Sequence, residues 1–119
     1  MEPLVQTMAP RLFGPGAGEQ VVEGIVATMR RTDPRGAAAA LRGRAQRPDY
    51  RPGLAELSQP SFVCTGTADT YSTAEVTAEL VGCLRSPAVV SLPEIGHLPN
   101  LEATARFDGE LSAFLAGTA

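Results

Sequence analysis

Two stretches of this sequence carry side chains able to move a proton. The first is Gly66-Thr67-Ala68-Asp69; the second is Pro93-Glu94-Ile95-Gly96-His97-Leu98-Pro99-Asn100. His97 is the single histidine of the chain. Imidazole titrates nearer neutrality than any other unperturbed side chain, which suits it to general-base work. An aspartate that accepts a hydrogen bond from the ring N–H fixes one tautomer and stabilises the imidazolium formed during proton transfer. Each residue also has a plainer reading. A lone histidine is more often structural, and Asp69, closely followed by Ser72 and Thr73, first suggests a helix cap or a turn former. The chemistry depends on whether the chain brings the two together.

The elements that carry them are legible in the hydrophobic pattern. Ser61 to Thr65 is a short apolar run opened by Pro60 and closed by Gly66, the pattern of a buried strand. Thr73 to Leu84 predicts a helix with Val76, Leu80 and Leu84 on one face. Ala88 to Leu92 predicts a second buried strand. Leu98 to Leu115 predicts a closing helix with Leu101, Phe107, Leu111, Phe114 and Leu115 as its apolar stripe. Strand, helix, strand, helix implies parallel strands joined by a right-handed crossover. Ligands of such sheets sit past the C-terminal ends of the strands, where both stretches lie.

Residues 1–58 read as a helical segment distinct from the βαβα part at 59–119. Leu4, Val5, Met8 and Leu12 share one face of a short helix, which Pro10 kinks or shortens. Gly14 to Gly18 is a break. Glu19 to about Arg31 predicts a helix with Val22, Ile25, Val26 and Met29 inward. Asp33 and Pro34 suit the cap and first turn of another, weakened at its end by Gly43. Pro48, Pro52 and Gly53 mark a loop before a short turn holding Leu54 and Leu57.

With these elements in place the pattern resembles the tail of an α/β-hydrolase. In that family a strand ending in G-x-x-D is followed by a helix and then by a strand ending in G-H-x-x-N-L-E. Here the motifs are Gly66-Thr67-Ala68-Asp69 and Gly96-His97-Leu98-Pro99-Asn100-Leu101-Glu102. The subgroup it most resembles is the enol-lactonase and cofactor-free haloperoxidase type. The order acid, then histidine, agrees with that fold. The resemblance implies that Asp69 is the triad acid and His97 the general base. It also implies that the first 58 residues form the cap over an acyl pocket, and that no cofactor or metal is needed. It extends over the whole chain, more strongly from Pro60 onward. The departure is large: the sequence contains no G-x-S-x-G nucleophile elbow. The early strands and oxyanion loop of the family have no counterpart, and Met1 falls where a full-length relative enters its cap.

The remaining candidates are weaker. Cys64 as a thiol nucleophile is disfavoured by its place in a strand, where burial raises the thiol pKa. Seven arginines lie between Arg30 and Arg51, against Asp33 and Asp49, with Tyr50 the one aromatic among them. Without a nucleic-acid motif this reads as a solvated outer face. Met8 and Met29 read as core filler. There is no metal-ligand spacing, and Gly14 to Gly18 lacks the strand and lysine of a phosphate loop.

Bulk numbers agree. The 119 residues suffice for one small domain, and 44% hydrophobic with 19% charged residues is ordinary for a soluble chain. A net charge of -3 provides no general attraction to nucleic acid or acidic membranes. All ten basic residues are arginine, which reads as the codon bias of a GC-rich bacterial genome. No signal peptide or membrane span is recognised, and Cys64 and Cys83 read as two buried free thiols, so a cytoplasmic location is expected.

Two parallel strands are marginal by themselves and leave an apolar edge open. The chain is therefore expected to pair through that edge, with a second copy or with a complementary N-terminal half, or else to fold poorly. Three functional readings follow. The chain is part of a serine hydrolase for esters, lactones or similar small apolar acyl substrates, inactive alone; or it is a non-catalytic binding or assembly module; or it is a truncated remnant.

Overall fold

The computed structural model describes residues 1–118. Helix α1 spans Glu2–Met8 and passes at Pro10 into a 3-10 turn over Ala9–Arg11. Proline there removes an N–H that a continuing α-helix would need. Helix α2, Glu19–Arg31, has the predicted length, and Val22, Ile25, Val26 and Met29 are half-buried along it. Helix α3, Pro34–Ala45, starts with the Asp33 carboxylate accepting the Arg35 N–H and runs past Gly43. Helix α4, Arg51–Glu56, corrects the expected loop. Pro52 lies in its first turn, where a missing N–H costs nothing, and Asp49 accepts the Arg51 N–H at 3.0 Å.

Strand β1, Phe62–Gly66, lies one residue further along than the apolar run suggested, and β2 is Ala88–Leu92 as expected. They pair in parallel, Phe62 against Ala88 through Gly66 against Leu92. Helix α5, Ala74–Gly82, crosses between them and is capped by the Thr73 hydroxyl. Paired residues of parallel strands share a face. Phe62 packs on Phe107 and Phe114 of helix α7, Thr104–Ala116, with ring centroids 6.2 and 5.4 Å apart. Thr65, Val89 and Ser91 face the other way and floor a groove of about 330 Å³ beneath α5.

Two expectations fail in this half, and a third element turns its apolar face outward. The closing helix is two helices, α6 at Pro99–Glu102 and α7, separated at Ala103 (φ -138°, ψ 48°). Back-bonding weakens the helix there: the Thr104 hydroxyl donates to the Asn100 carbonyl, four residues before it, while Glu102 caps the start of α6 by accepting the Leu98 N–H. Val76 and Leu80 share one face of α5, but that face is open: they are 51% and 40% exposed, and Thr77 and Val81 are the half-buried positions. Nor is β2 buried, since Val89 is 48% exposed and Leu92 alone is fully enclosed. The cause is common. Two strands about 5 Å apart make a sheet narrower than a helix with side chains, about 10 Å across, so α5 overhangs it. Cys64 and Cys83 are free as expected but only half-buried, and burial pushes the Cys64 thiol upward.

The surface measures the shortfall. The chain exposes 7900 Å², against about 6100 Å² for a folded monomer of its mass. Its radius of gyration is 16.0 Å, where a packed chain of this length would have about 13.5 Å. Val5, Ala9 and Leu92 are the buried hydrophobic residues among those described, and Leu92 is the one fully enclosed. No helix among the described residues is long and apolar enough to cross a membrane.

Candidate active site

The loops after β1 and β2 are latched together before either functional side chain is considered. The Thr67 N–H donates to the Leu92 carbonyl at 3.0 Å, and the Ala68 N–H to the Ile95 carbonyl at 2.9 Å. The Thr67 hydroxyl accepts the Glu94 N–H at 2.9 Å. Glu94 holds a left-handed backbone (φ 62°), an unusual state for a non-glycine residue, and this turn delivers the chain to His97. Gly66 and Gly96 are fully buried where these segments touch.

Asp69 and His97 meet within this frame. Nδ1 of His97 lies 2.8 Å from Oδ2 of Asp69. The other carboxylate oxygen, Oδ1, accepts the N–H groups of Tyr71 at 2.7 Å and Ser72 at 3.0 Å. The turn-forming and histidine-holding readings of Asp69 are thus both realised, one on each oxygen. The Asp69 side chain is 4% exposed and that of His97 is 37% exposed. Burial alone would push the Asp69 carboxyl upward. The hydrogen bonds from His97, Ser72 and Tyr71 outweigh it and leave the group below its ordinary range. An ionised carboxylate only accepts, so Nδ1 carries the hydrogen and Nε2 of the neutral ring keeps its lone pair. Among the described residues nothing hydrogen-bonds Nε2. The arrangement holds a proton acceptor in one orientation at the partly open end of the strands.

Arg11, Leu12, Gly14 and Tyr71, which no sequence motif marked, complete the surroundings together with Glu102, the last residue of the second motif. The Tyr71 ring packs against His97 (centroids 5.2 Å), and the Arg11 guanidinium lies 4.5 Å over the Tyr71 ring. The His97 N–H donates to the Leu12 carbonyl at 2.7 Å, so the segment after α1 bears directly on the histidine loop. Glu102 accepts three backbone N–H groups around that junction, from Gly14, Gly96 and Leu98. Periodicity could not reveal these contacts, because they join positions up to 88 residues apart. One serine, Ser86, holds a left-handed backbone at φ 50°. It precedes β2, at the opposite end of the strand from His97. Among the described residues no group of three metal-ligating side chains forms.

No family model matches the sequence. The chain is 27% identical over 116 residues to an (E)-2-((N-methylformamido)methylene)succinate hydrolase of Acinetobacter baylyi, covering 96% of this chain and 44% of that protein. Among solved structures it matches a thermophilic esterase from Thermogutta terrifontis with a TM-score of 0.91 and 30% identity, over 97% of this chain and 43% of the esterase. It matches the enol-lactonase from Burkholderia xenovorans with a TM-score of 0.79 and 25% identity, over 98% of this chain and 45% of the lactonase. The chain therefore spans less than half the length of these relatives. Sequence likeness, fold likeness and the parallel strand pair agree in making this chain a relative of the α/β-hydrolases that corresponds to the C-terminal part of their fold.

Proposed function

We propose that this chain carries the acid–base half of an α/β-hydrolase-type acyl hydrolase, with Asp69 as the triad acid and His97 as the general base. The observation that carries the reading is the 2.8 Å contact between them at adjacent strand ends. In this role His97 takes the proton of a nucleophilic hydroxyl on Nε2 and later returns it to the leaving group, while Asp69 stabilises the imidazolium. The hydroxyl must come from elsewhere, since the sequence contains no G-x-S-x-G. The 119 residues alone are accordingly inactive in this reading. Residues 1–58 act as the cap and 59–119 as the core part. The substrates are esters, lactones or similar small apolar acyl compounds, the chemistry that an esterase and an enol-lactonase share. We place the protein in the cytoplasm, in keeping with its two free thiols.

Labelling with a fluorophosphonate serine-hydrolase probe tests this. The purified chain is expected to stay dark. Labelling of the chain alone, abolished in His97→Ala, would refute the claim that it lacks a nucleophile.

The excess surface favours association as part of the same reading. It amounts to about 1800 Å², more than twice the roughly 800 Å² each partner buries in a standard interface. The outer edge of β1 has no strand partner among the described residues. We propose that this edge pairs with a second copy or with a polypeptide bearing the nucleophile elbow. Sedimentation equilibrium of the purified chain is expected to show a dimer if the first holds. A stable, well-folded monomer that captures no elbow-bearing chain would overturn both. A dimer that binds a small apolar ligand without turnover would favour the assembly-module reading.

A further inference from the structure

We infer that Glu102 is a positioning residue for His97, tying the histidine loop to the segment that follows α1; the inference rests on the Asp69–His97 reading above. One oxygen, Oε2, accepts the Gly14 N–H at 2.7 Å and the Gly96 N–H at 3.0 Å. The other, Oε1, accepts the Leu98 N–H at 3.1 Å. Gly96 and Leu98 are the two neighbours of His97, so one carboxylate grips the backbone on both sides of the histidine. The His97 N–H itself is taken by the Leu12 carbonyl at 2.7 Å. Three consecutive N–H groups, those of residues 96, 97 and 98, thus have acceptors from outside the loop.

The arrangement does more than satisfy polar groups. Gly14 and Gly96 touch so closely that a Cβ on Gly96 would lie 2.5 Å from the Gly14 nitrogen and 2.6 Å from the Leu12 oxygen. Both N–H groups point at the same Glu102 oxygen, which sits across the seam like a rivet. Carboxylate-to-N–H bonds are charge-assisted and directional. Losing them frees the backbone on which the imidazole is mounted, while the Asp69 carboxylate stays fixed by Tyr71 and Ser72. A displacement of the ring relative to its acceptor is the consequence, and a 2.8 Å bond tolerates little displacement. Glu102 lies in the short helix α6, Pro99–Glu102, and helical side chains lean toward the N-terminus, which aims its carboxylate back at this seam.

Because His97 is the one histidine, its ring nitrogens give an unambiguous long-range proton–nitrogen NMR spectrum in the whole chain. In spectra taken at a pH high enough for the ring to be neutral, the unsubstituted chain is expected to show the Nδ1–H tautomer. In Glu102→Ala the population of the Nε2–H tautomer is expected to rise roughly fivefold, equivalent to ~1 kcal/mol of lost orientation. Glu102→Gln keeps one carbonyl oxygen but offers an amide N–H to one of the three donors, and is expected to fall between. It also serves if Glu102→Ala does not fold. A folded Glu102 variant with lowered thermal stability and an unchanged tautomer would reduce the residue to a structural brace and overturn the inference. Asp69→Asn separates the two claims: if it leaves the His97 tautomer unchanged, the Asp69–His97 reading fails, whatever Glu102 does.

Discussion

Gly66→Ala is expected to destabilise the chain by ~3 kcal/mol or more, at the upper end of what overpacking costs. Gly66 has no left-handed backbone, so conformational freedom is not the reason it is glycine. The reason is space. A Cβ built there collides with the backbone carbonyls of Ile95 and Gly96. Those atoms cannot swing aside as a side chain would. They belong to the turn that Thr67 and Ala68 latch to β1, and the Ile95 carbonyl already accepts the Ala68 N–H. Relieving the clash means separating the two loops and with them Asp69 and His97. In a thermal melt the loss corresponds to a fall of about 10 °C or more for a chain of this size. Gly24→Ala is the matched control. Nothing lies within 4 Å of its Cβ position and it sits inside α2, so alanine there is expected to stabilise by up to ~1 kcal/mol. Equal melting temperatures for the two variants would show that the contact between β1 and the histidine loop is not tight.

Asp69→Ala is expected to cost ~3 kcal/mol near neutral pH, and the cost should shrink in acid. The substitution removes the acceptor of the Tyr71 and Ser72 N–H groups and of the His97 ring, all at a carboxylate 4% exposed. Hydrogen bonds to a charged group contribute ~1.5–3 kcal/mol, and donors left without partners add their desolvation. The sign of the pH effect follows from the lowered carboxyl pKa. The unfolded chain, with an ordinary aspartate near ~3.9, takes up the proton first as pH falls. The stabilisation is therefore complete above that ordinary value and is lost as pH falls through the lower folded value. Urea midpoints at a series of pH values should show the unsubstituted chain and the variant converging below about pH 4. A gap that stays constant to pH 2 would mean that the carboxylate charge contributes nothing and the side chain only fills space.

Several features follow from local sequence alone. The ranges of α2 and β2 and the Asp33 and Thr73 caps are short-range matters, settled within a few residues by period, capping chemistry and proline. The meeting of Asp69 and His97 was also legible, because parallel strands joined by a crossover must place their following loops side by side. Where local signals pointed wrong, the cause was a partner the pattern could not supply. Val76 and Leu80 read as one apolar face, yet with two strands beneath it α5 has too little sheet to cover that face. Leu98 to Leu115 reads as one helix, yet the helix breaks at Ala103, beside a Glu102 that accepts two N–H groups from the loop before it and a third from Gly14, 88 residues away. Close approach escapes sequence altogether. Glycine at 14, 66 and 96 looks like ordinary loop glycine until the fold presses backbone against backbone at each of them. Periodicity encodes which face of an element is apolar; tertiary structure decides what that face meets. Here that decision comes from contacts that bring residues 12 to 14 against residues 94 to 102.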